Sequence, residues 1–266
     1  MYRLIWFQHV HKAAGSSIVN QAIANDEILY PNHDNGNPLT REGKIIPLWE
    51  YDSAQLVGFI DDCEAKGITF VATEWGAPLY EVLHHDPRVA LVTCIREPWS
   101  RLVSNFNYDY YYGFSDSKTL TDFLSEELRI KQDNFLVRVF SRNYDALAVN
   151  LDETSLTEAV ANLRLFDLVL VTERKGDLKS HLFEALSWQN KQVSPHATFG
   201  NPWTLKSLVS RLRLYTAMNY LLRRKIAVTE EERMQFMKSS KFDFNFYRIT
   251  SENKLRGPLH PRNSKH

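Results

Sequence analysis

The chain has 266 residues, enough to bury a sizeable core without disulfide or metal staples, and its 32 basic side chains are balanced by 32 acidic ones. Zero net charge excludes a nucleic-acid binder that works by bulk electrostatics, while leaving room for a local basic pocket. Two cysteines make no disulfide framework, no secretory leader pattern opens the sequence, and no apolar stretch approaches the ~20 residues that span a bilayer, so a soluble chain in a reducing compartment is expected.

Residues 2–10, YRLIWFQHV, are apolar at both odd and even positions, the habit of a strand covered on both faces of a parallel sheet. SSIVNQAIAND (16–26) reads as a short helix opened by serine. Residues 31–47 are rich in Pro, Gly and Asn and read as a long loop of the kind that carries function. SAQLVGFIDDCEAKG (53–67) is helical, ITFVATEW (68–75) is a second strand, and GAPLYEVLHHD is a short helix. VALVTCI (89–95) is a third strand, with Cys94 inside it as a small buried hydrophobe. PWSRLVSNFNYDYYY (98–112) is a helix with proline in its first turn. TLTDFLSEELRI, NFLVRVFS and SLTEAVANLRLF (155–166) are further helices. A fourth strand, DLVLVTE (167–173), a helix over 176–188 and a mostly helical C-terminal third complete the chain. Strands alternating with helices predict an α/β protein: a three-layer, P-loop-like fold with a central, mostly parallel sheet, helices on both faces and a helical C-terminal portion. No repeat or linker divides the sequence, so residues 1–266 are expected to form one domain.

In such a sheet, ligands sit at the carboxyl ends of the strands. The first strand ends at His9, and Val10, His11 and Lys12 lead into the small residues Ala13, Ala14, Gly15, Ser16 and Ser17. Small side chains let backbone N–H groups approach an anion; the helix N-terminus adds partial positive charge, and Lys12 adds a full one. A phosphate- or sulfate-sized site is expected. It differs from the nucleotide-hydrolase loop, in which the lysine follows the glycines. His9 and His11 also have the spacing of a metal pair, but no third ligand stands at useful spacing and no metal is expected. Taken singly, each of the three is as well explained by a solvated lysine or a hydrogen-bonded histidine.

The third strand runs into CIREPWSRLVS (94–104) and repeats the arrangement. Arg96 at a strand end can clamp phosphate through two parallel N–H bonds, and Ser104 can add a hydroxyl. The plainer alternative pairs Arg96 with Glu97 or another carboxylate. Two anion sites at two carboxyl edges predict one ligand with two separated phosphate-like groups, such as a nucleotide charged at its 5′ and 3′ ends.

HVHKAAGSS (9–17) and REPWSRLVS (96–104) resemble two motifs of the sulfotransferases that use 3′-phosphoadenosine 5′-phosphosulfate (PAPS), in the carbohydrate branch of the heparan sulfate 6-O-sulfotransferase type. Those motifs are H-[IV]-x-K-[TA]-[GA]-G-[TS]-[TS] and R-[DE]-P-x-x-R-x-x-S. Weaker echoes lie in DNFLVRVF (133–140), in residues 159–186 and in KFDFNFYRI (241–249), so the resemblance covers about residues 3–250. It implies that Lys12, Ala13, Ala14, Gly15, Ser16 and Ser17 hold the 5′-phosphosulfate and that Arg96 and Ser104 hold the 3′-phosphate. It makes His9 the catalytic base and Lys12 the group that stabilises charge on the leaving phosphate. Ala13 replaces a common threonine, His11 stands where the family rarely has histidine, and Arg101 matches a family arginine. Arg256 and Gly257 would form a lid over the cofactor.

The acceptor implied is a hydroxyl on a glycan. The 31–47 loop, Tyr108–Tyr112, Arg211, Arg213, Arg223 and Arg224 would line a groove for an acidic glycan, or else be core aromatics and a solvated helix face. Glu74 would orient His9 or the acceptor, or be an exposed strand-end carboxylate. An ATP-dependent small-molecule kinase and a non-catalytic nucleotide- or glycan-binding relative are the rival readings. Neither a nucleic-acid partner nor a membrane segment is expected. The cytoplasm is the expected location, with a Golgi-lumen catalytic domain cut from its anchor as the alternative.

Overall fold

The computed structural model describes residues 2–126, 133–144, 150–174, 176–191, 205–206, 209, 214–223 and 225–252. β1 (Leu4–His9) leads through α1 (Gly15–Ala24) and a small hairpin, β2 (His33–Asp34) and β3 (Asn37–Pro38), to α2 (Ser53–Ala65) and β4 (Phe70–Thr73). Next come α3 (Tyr80–His85), β5 (Val89–Ile95), α4 (Pro98–Tyr112), α5 (Leu120–Ser125), α6 (Phe135–Phe140), α7 (Glu153–Leu163) and β6 (Leu168–Val171). A π-helical turn at Asp177–His181 runs into α8 (Leu182–Leu186), and α9 (Leu214–Leu222), α10 (Glu230–Ser239) and α11 (Lys241–Glu252) follow.

β4, β1, β5 and β6 form one parallel sheet in that order. The chain steps from β1 to β4 on one side, then crosses back over β1 to add β5 on the other. The strand order therefore reverses between β1 and β5, where His9 lies in register with Cys94. The crevice outside such a switch point is where open α/β sheets bind ligands.

The doubly apolar pattern of β1 has a simple cause. Leu4 and Trp6 enter one core with Leu56 and Ile60 of α2, Tyr80 of α3 and Phe140 of α6. Ile5 and Phe7 face the opposite way, against Ile18 and Val19 of α1 and Leu182 and Leu186 of α8. Each such side chain, fully buried, contributes on the order of 1.5–3 kcal/mol. The result is a three-layer α/β architecture. Among the described residues, no helix is long and apolar enough to cross a membrane.

α4 positions half of the site. Pro98 stands in its first turn, and the Glu97 carboxylate accepts the N–H groups of Trp99 (3.2 Å) and Ser100 (2.7 Å). Gly113 closes the helix at φ 75°, a conformation that favours glycine. Leu102 and Phe106 bury against Phe123 and Phe236.

Three elements differ from expectation. α1 starts at Gly15, with Ala14 as an N-cap in the left-handed region and no capping side chain, rather than with a serine cap. The 31–47 loop contains the β2–β3 hairpin; at its Gly36 (φ 86°) any Cβ would fall 3.0 Å from that of Ala72. The 176–188 helix is split by its π-helical turn, where buried Asp177 accepts the Val171 N–H (2.9 Å) and pins the turn to the end of β6.

Candidate active site

The loop between β1 and α1 is tightly wound. Lys12 and Ala14 both take left-handed φ values, 64° and 62°, which cost non-glycine residues about 1–3 kcal/mol each. Left-handed residues in alternation turn successive N–H groups into one concavity, an anion-binding arrangement. No side chain caps α1, and with the Ser17 N–H donating to the Ala14 carbonyl (3.0 Å) it is the Gly15 and Ser16 N–H groups that stay available to a ligand or solvent. Ala13, expected to hold the anion, is packed in the core and its N–H donates to the Val10 carbonyl (3.1 Å), so it closes the turn rather than facing a ligand. The Ser16 hydroxyl accepts from Asn35 Nδ2 at the hairpin turn (3.2 Å), and Ser17 is half-buried beside it in the first turn of α1.

Gly15 is required by a neighbour. A Cβ at this position would fall 1.8 Å from Nε2 of His9, so the imidazole lies directly against the glycine. His9 is 4% exposed and stacks on Phe7, with ring centroids 5.6 Å apart and planes 18° apart. Burial lowers its pKa; Glu74 opposes that, and His11 and Lys12 reinforce it, leaving the ring neutral at pH 7.

Glu74 follows β4 and is buried, not an exposed strand-end carboxylate. Its Oε1 lies 2.8 Å from Nδ1 of His11, and its Oε2 lies 3.4 Å from Nδ1 of His9. Burial alone would raise its pKa; the imidazoles of His9 and His11 outweigh that and hold it below the usual carboxylate range. Its backbone N–H donates to Asn37 Oδ1 (2.8 Å), and Gln8 Nε2 donates to the carbonyls of Thr73 (3.0 Å) and Gly76 (3.2 Å). The carboxylate is thus set on a fixed strand end. Sequence alone left both Glu74 and His11 without a definite role, because their meeting depends on the β1–β4 pairing.

The Lys12 ammonium sits 3.7 Å from the centre of the Tyr108 ring. Burial lowers its pKa to about 8, with Asp109 and Glu74 pulling upward and Arg96 adding to the fall. Arg96 touches this loop: its Nη1 donates to the Lys12 carbonyl (3.3 Å). Of the carboxylates that the plainer alternative would pair with it, Glu97 is spent on the start of α4, and Glu173 lies at 3.9 Å. The two corners predicted from sequence are therefore one place.

Beside Arg96 opens a cleft of about 420 Å³, lined by Trp99, Ser104, Asn107, Lys225 and Val228 among others. Lys225 was not anticipated; nothing in the stretch RRKIAV marks one lysine above its neighbours. The structure brings it there because the Ile226 N–H donates to Asn107 Oδ1 (3.1 Å), strapping the α9–α10 connector over α4. A second cavity, about 400 Å³, opens around Arg142 and Glu158 and contains none of these residues.

Other candidates fall elsewhere. Arg101 is fully buried with its guanidinium 4.2 Å from the centre of the Phe135 ring, a structural position. Tyr111 is core. Arg223 donates to the carbonyls of Tyr110 (2.8 Å) and Ser115 (2.9 Å) and to Asp116, so it is engaged within the chain rather than facing a groove. Arg211, Arg213, Arg224, Arg256 and Gly257 lie outside the described residues. Among the described residues, no group of three or more His, Cys, Asp or Glu side chains is arranged to hold a metal ion.

Fold and site together define a three-layer α/β protein with Lys12, Arg96, His9 and Glu74 gathered at its switch point. No family model and no curated protein matches the chain.

Proposed function

We propose that the protein is a sulfotransferase that moves a sulfonate group from PAPS to an acceptor hydroxyl, on a carbohydrate. The observation that carries this reading is the contact between the corners: Arg96 bonds to the Lys12 carbonyl, so one doubly charged nucleotide can reach both. The residues fit such an anion. The Gly15 and Ser16 N–H groups open α1 with no capping side chain, Lys12 stands beside them, and the cleft beside Arg96 carries Ser104 and Lys225.

In this reading His9 takes the proton from the acceptor hydroxyl, and its neutral imidazole at pH 7 suits a base. The acceptor oxygen bonds to sulfur as the bond from sulfur to the 5′-phosphate oxygen breaks. Lys12 and the loop N–H groups stabilise the charge that builds on that oxygen.

The test has two arms. Thermal shift should show stabilisation by 3′-phosphoadenosine 5′-phosphate (PAP) without magnesium and little by Mg-ATP. Transfer of radiolabelled sulfate to a panel of glycans and small alcohols should then give labelled product. Stabilisation by Mg-ATP alone would turn the reading to a kinase, and PAP binding with no transfer would turn it to a non-catalytic relative.

A further inference from the structure

Four side chains stand in line across the carboxyl edge of the sheet: Asn105 of α4, His11, Glu74 and His9. Nε2 of His11 lies 2.9 Å from Asn105 Oδ1, and its Nδ1 lies 2.8 Å from Glu74 Oε1. The second oxygen of Glu74 is 3.4 Å from Nδ1 of His9, close enough for an ion pair but outside good hydrogen-bond geometry. That buried Nδ1 finds no hydrogen-bond partner among the described residues, and neither does Nδ2 of Asn105. Exchanging the oxygen and nitrogen of the Asn105 amide makes the line consistent. Asn105 Nδ2 then donates to Nε2 of His11, whose Nδ1–H donates to Glu74.

The His9 ring is held from two sides. Phe7 covers one face, and Nε2 lies against Gly15 in the anion loop. Glu74 is the carboxylate beside its other nitrogen. A proton on Nδ1 facing that carboxylate leaves the lone pair on Nε2, as in carboxylate–imidazole pairs that orient a base. We infer that His11 is a positioning residue: with Asn105 it holds Glu74 against Nδ1 of His9 and so fixes the tautomer in which Nε2, at the Lys12–Gly15 loop, accepts the proton. This rests on the sulfotransferase reading for the fate of the proton, and on geometry alone for the tautomer. The charged or titratable groups facing His9 are Glu74 from the β4 end and His11 and Lys12 from its own loop; a neutral imidazole beside an ionised carboxylate agrees with the direction in which each is shifted.

The experiment is nitrogen NMR of protein labelled with ¹⁵N-histidine, with His9 assigned by loss of its signals in His9→Asn. At pH 7 the wild type should show His9 protonated at Nδ1 and bare at Nε2. His11→Phe keeps the ring but removes both polar contacts. It should move His9 toward the Nε2–H form and slow sulfate transfer roughly 10–100-fold, with PAP affinity unchanged within about twofold. His11→Asn, whose amide N–H stands near the lost Nδ1, should restore most of both. Glu74→Gln, which can turn its amide nitrogen toward Nδ1, should convert His9 to the Nε2–H form and serves if His11→Phe does not fold. A wild type in the Nε2–H form, or an unchanged tautomer in the His11 and Glu74 variants, overturns the inference. A wild type that binds no PAP overturns the sulfotransferase reading, and the tautomer still decides this one.

Discussion

A methyl group on Gly15 would put a carbon 1.8 Å from Nε2 of His9, and the ring has Phe7 behind it. Gly15→Ala should therefore displace the imidazole from Glu74. Urea unfolding should show a loss of roughly 1–3 kcal/mol, the usual cost of overpacking a filled site, and sulfate transfer should fall with it. An unchanged midpoint would mean that the ring swings aside freely. Lys12 offers a test by pH. Burial disfavours its charged form and brings its pKa to about 8, so the free protein loses this cation as pH rises through that value. PAP affinity measured by calorimetry should weaken above pH 8 by up to about tenfold per unit, and Lys12→Arg should lack that limb because a guanidinium stays protonated. The tight turn between β1 and α1 was legible in sequence because small residues after a strand-end lysine form a local pattern. The Glu74 link was not, because residues 9, 11 and 74 meet only through strand pairing.

At the scale of elements, α6 and α11 cap each other. Asn134 Oδ1 accepts the N–H groups of Phe242 (2.9 Å) and Asp243 (3.2 Å). In return the Asp243 carboxylate accepts those of Leu136 (3.0 Å) and Val137 (2.9 Å). The sequence stretches DNFLVRVF and KFDFNFYRI, weak singly, are thus two halves of one buried joint. Asn134→Ala should cost about 2–4 kcal/mol by urea unfolding, since it strands several buried backbone groups at once. Burial raises the Asp243 pKa to about 6, against the pull of those two N–H groups and of Arg101. The folded chain therefore holds this proton more tightly than the unfolded chain, whose value is near 3.8. The stabilisation is complete below the lower value and is lost as pH climbs through the upper, by roughly 3 kcal/mol at most. Between pH 4 and 6 the wild type should lose stability with rising pH relative to Asp243→Asn; parallel curves would show that the carboxyl does not titrate there. Most helix boundaries could be read from periodicity and caps. The π-helical turn could not, because the pull of Asp177 toward Val171 is a tertiary contact.

At the scale of the molecule, the strand order makes the site. Alternating strands and helices announced a parallel sheet, and the doubly apolar run of β1 announced a strand covered on both faces. Only the crossover from β4 to β5 sets β1 and β5 side by side, with Lys12 and Arg96 in contact. The same wrapping brings Lys225 across α4 to the cleft that holds Ser104, far from it in sequence. If that cleft takes the 3′-phosphate, Arg96 and Lys225 should act on one charge of the nucleotide and not on the other. Hydrogen bonds to charged groups contribute about 1.5–3 kcal/mol, roughly 10–100-fold in affinity. Arg96→Ala and Lys225→Ala should each weaken PAP within that range, with the exposed lysine at the lower end and more sensitive to added salt. Binding of 5′-AMP, which lacks the 3′-phosphate, should change by less than about twofold in both. Equal losses for the two nucleotides, measured side by side by calorimetry, would mean that these cations steer any anion to the corner and read no 3′ end.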